Sequence, residues 1–192
     1  LVCELTTCAD AYFGCFGGAP FCGNELLEGD EECDDGNRED ADSCTNACET
    51  NSCSGSGSAD STFEAIQSVI FDNYCVDCHN AEFQGGAAGD LDLSPGVSYA
   101  ALYGQPTSAV PTMDLVVAGE RRDSFLYEKI AAKTLGGETT LASMPSGLLT
   151  VTEAHLEALG LWISAGAPES LSVEGTADLL ETCLPPADPL KI

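Results

Sequence analysis

The chain has 192 residues, with 32 Asp and Glu against 6 Lys and Arg, a formal charge of −26, and it holds 11 cysteines, 2 histidines and 2 methionines. So few bases cannot neutralise a phosphate backbone, which excludes nucleic-acid binding and disfavours anionic membrane surfaces. An apolar content of 44% excludes wholesale disorder, because that much hydrocarbon offsets chain entropy over a good part of the length.

Residues 1–53 contain Cys3, Cys8, Cys15, Cys22, Cys33, Cys44, Cys48 and Cys53, and every charged side chain there except Arg38 is acidic. A segment of that size cannot build a sufficient hydrophobic core, so crosslinks or metal must hold it. This cysteine density predicts disulfides made in an oxidising compartment: periplasmic, cell-surface or extracellular. The N-terminus lacks the basic and apolar regions of a signal peptide, so any such peptide is expected to have been removed. Asp34, Asp35, Asn37, Asp40 and Asp42 crowd hard oxygen donors together. They read either as a solvated acidic loop or as a Ca²⁺ site, although no Glu stands where an EF-hand requires one.

A Ser- and Gly-rich stretch follows, and residues 54–60 are predicted to be a linker. Ser61-Thr-Phe-Glu64 reads as a capping box, with Phe63, Ile66, Val69, Ile70 and Tyr74 at helical spacing behind it. Gly85-Gly86 and residues 89–95 read as loop, and a short helix is expected over 97–103. The uncharged run 93–113 has membrane-spanning length, but Pro95, Gly96, Gly104, Pro106 and Pro111 break it, so no transmembrane segment is predicted. Asp123 is the expected cap of a third helix that buries Phe125, Leu126 and Ile130 and stops at Gly136-Gly137. Thr150-Val-Thr-Glu153 reads as the box of a fourth, with Leu156, Leu159, Trp162 and Ile163 as its apolar face and Gly166 and Pro168 as its stop.

Cys75-Val-Asp-Cys78-His79 is C-x-x-C-H, the attachment sequence of a c-type haem. Two thiols add across two vinyl groups on one porphyrin edge, and the histidine next in the chain lies beneath the iron. Three different chemistries compete for the same residues: a plain Cys75–Cys78 disulfide, a zinc site borrowing His155, Cys183 or N-terminal thiols, and a thioredoxin-like redox pair. Met113, Met144 and His155 are the remaining strong iron ligands. Met144, in the non-periodic segment Leu141-Ala-Ser-Met-Pro-Ser146, is favoured as the second axial ligand, because Pro145 stiffens the approach. Arg121-Arg122 reads as a solvated basic pair or as a clamp for the propionates. Trp162 and Tyr127 are expected to pack the core or the haem pocket. If Cys75 and Cys78 hold haem, nine of the 11 cysteines remain, so one is left for an intermolecular disulfide or a free thiol.

The order CVDCH, GDLDL, AGERRDSFLYEKI, ASMPSG and LWISAGAP resembles the single-haem c-type cytochrome domains of secreted bacterial proteins over residues 61–170. CGN, GDEECDDGN and the following cysteines resemble a myxobacterial-type disulfide-rich repeat, with Ala41 and Ser43 where two glycines are expected. The implied architecture is mainly α: a small, class I-like cytochrome c domain at 61–170 behind a disulfide-rich irregular module at 1–53, with a C-terminal extension at 171–192. The resemblance implies one covalent haem c on Cys75 and Cys78, with His79 and Met144 on iron. Iron with two protein ligands suits one-electron exchange, so a non-enzymatic electron carrier is expected; its charge of −26 steers it towards redox proteins with basic docking faces, and relay from haem to haem could also join copies of itself. The rival functions are a haem enzyme or gas- or peroxide-binding protein with an open sixth position, and a surface or adhesion module with structural haem.

Overall fold

The computed structural model describes residues 21–38, 40, 44–51, 57–136, 142–185 and 187. The first helix, α1 (Thr62–Ile66), starts where the Ser61 hydroxyl accepts the Glu64 amide at 3.2 Å. Glu64 reaches back one residue further than a standard box, accepting the Asp60 amide at 2.7 Å. The helix then widens into a π-helical turn, Gln67–Phe71, and resumes as α2 (Asp72–Tyr74). A π turn adds one residue per turn and so rotates the faces beyond it. Phe71 therefore becomes fully buried, while Val69 and Tyr74 are only half-buried.

Buried Gln67 occupies that turn. Its amide donates to Asp72 Oδ1 at 2.7 Å and to the Leu93 carbonyl at 2.9 Å, and its Oε1 accepts the Ser98 hydroxyl at 2.5 Å. One side chain thus ties α1 and α2 to the loop before α3 (Ser98–Leu102) and to α3 itself. α4 (Phe125–Thr134) buries Phe125, Leu126 and Ile130 as expected, but its N-cap position is Ser124, not Asp123. The Ser124 hydroxyl fastens the incoming turn instead, donating to the Glu120 carbonyl at 2.9 Å and accepting the Val117 amide at 2.9 Å.

The fourth expected helix is α5 (Glu153–Ser164), capped by Thr152, whose hydroxyl accepts the His155 amide at 3.1 Å, so the box beginning at Thr150 is not used. Its end is a Schellman turn: Ala167 N–H donates to Trp162 C=O at 2.9 Å and Gly166 N–H to Ile163 C=O at 3.0 Å, with Gly166 at φ +92°. The buried Trp162 indole donates to the Pro168 carbonyl at 2.8 Å, and Tyr99 OH donates to the Ala167 carbonyl at 2.9 Å. Phe63 stands between these rings, 5.3 Å from Trp162 and 5.0 Å from Tyr99. Gly160 lets α5 approach α4, since a Cβ there would sit 3.0 Å from the Tyr127 ring.

Residues 171–185 pack into the same core through Val173, Ala177, Leu180 and Leu184, and include a short helix, α6 (Ala177–Leu180), that the periodicity did not single out. Buried Thr62 accepts the Val173 amide at 2.8 Å and meets Thr176 Oγ1 at 2.8 Å. Ser58 pairs in parallel with Cys183, which draws the end of the expected linker onto this segment. Among the described residues, extended pairing is limited to four isolated bridges, so the chain is helical. The described residues of 21–51 are irregular and crosslinked by Cys22–Cys48 and Cys33–Cys44, with Cα separations of 5.5 and 5.9 Å, and Cys183 is also disulfide-bonded.

Gln67→Leu keeps bulk but leaves the Leu93 carbonyl and Ser98 hydroxyl without their partner. Urea unfolding should report a loss of roughly 2 kcal/mol, the cost of orphaned buried polar groups. An unchanged midpoint would show that the hub carries no stability.

Candidate functional site

At the end of α2 the backbone makes one more helix-like turn. The Cys75 carbonyl accepts the Cys78 amide at 3.1 Å and the His79 amide at 2.9 Å. Residues three and four apart on such a turn share a face, so both thiols and the imidazole are presented together. The chain then returns onto this turn: Ala88 N–H donates to Cys78 C=O at 3.0 Å, and Leu93 N–H to His79 C=O at 2.8 Å. His79 Nδ1 lies 3.2 Å from the Leu91 carbonyl oxygen. A carbonyl can only accept, so this contact selects the Nδ1–H tautomer of the neutral ring, the one whose Nε2 lone pair is a ligand atom.

Cys75, Cys78 and His79 line a cavity of about 880 Å³. Leu91, Leu93, Leu115, Phe125, Leu126 and Ile130 give it apolar walls, and Met144 and Pro145 also border it. Its size falls in the upper part of the range typical of cofactor sites, about 300–1,000 Å³. Cys75 and Cys78 are not bonded to one another. Burial, followed by the charges of Asp72 and Cys78, pushes the Cys75 thiol up to about 12, so it is a protonated thiol at neutral pH.

Of the three expected candidates for the second axial ligand, Met144 alone borders the cavity. Met113 packs at the edge of the core, its amide donating to Val110 C=O at 2.9 Å. His155 lies on α5 against Tyr74, 6.4 Å between ring centroids, with Nδ1 buried and unpartnered. Burial lowers its pKa, and Glu181 partly opposes the shift. Arg121 bonds to Glu157 at 3.3 Å and lies 5.7 Å from the centre of the Tyr127 ring, so it faces α5 and does not line the cavity. The base that does line it is Lys129, whose pKa is lowered by desolvation and which the sequence pattern did not single out. A visible signal existed: Lys129 and Lys133 stand one helical turn apart in a chain with only 6 bases.

The acidic loop is organised by its own backbone. Asp34 Oδ2 accepts the amides of Gly23 at 3.0 Å and Asn24 at 3.2 Å, while Oδ1 accepts those of Glu25 and Gly36, both at 2.9 Å. Asp35 accepts the Asn37 amide at 3.4 Å and Asp40 the Asn46 amide at 2.7 Å, whereas Asp42 lies outside the described residues. Ligand atoms of Cys22, Asp34 and Cys48 approach closely enough to share an ion. With those sulfurs joined in a disulfide, however, neither is a thiolate donor, and four N–H groups already occupy the Asp34 oxygens.

No protein-family model, curated protein or solved structure matches the chain.

Desolvation works to raise the Asp34 pKa, but the bonds from Gly36, Asn24, Glu25 and Gly23 together outweigh it and hold the carboxyl below its ordinary value of 3.8. A depressed carboxyl pKa contributes stability in full above that ordinary value and loses it as pH falls through the folded one. The protection factors of the Gly23, Asn24, Glu25 and Gly36 amides, taken against the intrinsic rate at each pH, should therefore fall only in acid. Asp34→Ala should show the reduced protection already at neutral pH, and protection unaltered by that substitution would refute this role for the carboxylate.

Proposed function

We propose that the chain carries one haem c in the cavity lined by Cys75, Cys78, His79 and Met144, and that it passes single electrons between partners in an oxidising compartment. The observation that carries this reading is the convergence, on one apolar cavity of about 880 Å³, of two adjacent free thiols, an imidazole with Nε2 bare, and a thioether from a segment far along the chain. The residues fit the group. Cys75 and Cys78 share a face of one turn, as two thioether links to one porphyrin edge require, and the leucines with Phe125 and Ile130 provide dry walls. His79, held through Nδ1 by Leu91, would ligate from one side, and Met144 would complete the pair. Haem so ligated supplies reversible one-electron exchange, with a potential raised by the thioether.

The competing readings of the motif draw less support. A thioredoxin-like pair is expected beside a strand–helix unit, whereas this motif follows α2 in helical surroundings. Cys183 is committed to a disulfide and His155 lies outside the cavity, which removes two donors a zinc site would borrow. If His79 and Met144, which border one cavity, both held the iron, no position would be left for oxygen or peroxide, which favours a carrier over a haem enzyme. Among the described residues no helix is long and apolar enough to cross a membrane, and the disulfides are compatible with an extracellular or otherwise oxidising location. A charge of −26 would steer the carrier towards redox proteins with basic docking faces, and relay between copies of the chain is the second kind of partner.

Mass measurement and absorption spectroscopy of the mature protein test the proposal together. One covalent porphyrin and a methionine-to-iron charge-transfer band in the oxidised form are expected. Cys75→Ala with Cys78→Ala should abolish covalent attachment. Met144→Ala should keep the haem, lose the band, lower the reduction potential and admit cyanide. A colourless protein with the mass of its amino acids alone would end the proposal.

A further inference from the structure

Met144 sits in a segment with no helix of its own, and the hydrogen bonds that fasten residues 142–151 run to α4. The Met144 amide donates to the Lys129 carbonyl at 3.0 Å. The Lys129 ammonium donates to the Ala142 carbonyl, and the Lys133 ammonium donates to the Gly147 carbonyl at 2.8 Å. Further on, the Thr134 hydroxyl donates to the Val151 carbonyl at 3.0 Å. Between Pro145 and the buried Val151, apolar burial holds little of this segment: Leu148 is 101% exposed and Leu149 52%. Pro145 itself has no N–H to give.

We propose that Lys129 and Lys133 are positioning residues, a two-point clasp that keeps Met144 at the cavity. The inference rests on the haem reading above and adds to it what fixes the second axial ligand. The two lysines stand four residues apart, so they share one face of α4. Their nitrogens grip carbonyls on either side of Met144, at 142 and 147, and an ammonium with three donors and no acceptor suits bare loop carbonyls. The Lys129 nitrogen also lies 5.4 Å from the Phe125 ring centre, which leads its stem along the cavity edge. The clasp acts by biasing Met144 towards the cavity.

Imidazole binding to the oxidised, full-length holoprotein reads that bias directly, because imidazole takes the sixth position only when Met144 leaves. Lys129→Met and Lys133→Met keep the stems and remove the donors. Each should tighten apparent imidazole binding by about three- to tenfold, the population shift that one net hydrogen bond sustains. Lys133→Arg restores a donor and should bind as wild type does. Arg122→Met, which removes one positive charge away from the cavity, should also leave binding unchanged. Lys133 lies outside the cavity lining, so its two variants decide the matter if Lys129→Met fails to fold. Coloured variants with wild-type imidazole affinity would overturn the clasp, as would a shift in Arg122→Met equal to those of the lysine variants. A protein without haem would instead overturn the reading on which the clasp rests.

Discussion

The cavity exists because residues 88–93 fold back onto the turn that carries the two thiols and the imidazole. That turn protrudes from the end of α2, where the helix has stopped supplying partners for its last carbonyls. The Ala88 and Leu93 amides bond the Cys78 and His79 carbonyls of that turn, and the Leu91 carbonyl faces Nδ1 of His79. The same return brings Leu91 and Leu93 into the wall. Gln67, buried in the π turn one helical segment earlier, holds Leu93 from the other side. A glutamine amide can donate twice and accept at once, so one residue sets the spacing of helix, loop and α3.

Around this return the protein is closed by elements distant in sequence. Trp162, Phe63 and Tyr99 form an aromatic centre whose polar tips are satisfied by the turn after α5. Residues 171–185 cover α1 on another side through the buried threonine pair and the apolar residues of α6. The N-terminal module works on other principles. In its described part Phe21, Leu26 and Leu27 are exposed, and disulfides together with one carboxylate that gathers four backbone amides hold the chain. That explains acidic residues in a loop without requiring a cation for each, and it leaves the strong negative charge of the chain as a property of the surface.

Several elements were legible because their determinants are local. Ser61 and Glu64 marked the start of α1, and the apolar face of α5 and its Gly166 stop were readable from spacing. Cap positions were less so: Ser124 and Thr152 are each adjacent to, or within the same short run as, the residues the pattern favoured, and competing side-chain bonds decided between them. The π turn was not legible at all. Nothing in Gln67–Phe71 violates helical periodicity, and the widened turn is stabilised by partners at Leu93 and Ser98, far along the chain. The same holds for Lys129 and Lys133, whose role depends on a loop that only the fold brings beside them.

By itself the sequence determined a helical chain behind a crosslinked acidic module, and it put Cys75, Cys78 and His79 within one turn, because those outcomes depend on spacing over a few residues. Tertiary structure decided which of Met113, Met144 and His155 borders the same cavity as that turn. It also decided that the Asp34 carboxylate binds backbone, that Arg121 faces α5, and that 171–185 belongs to the core. Each of these depends on which distant groups can satisfy a buried donor, acceptor or apolar surface, and that competition is settled only when the whole chain packs.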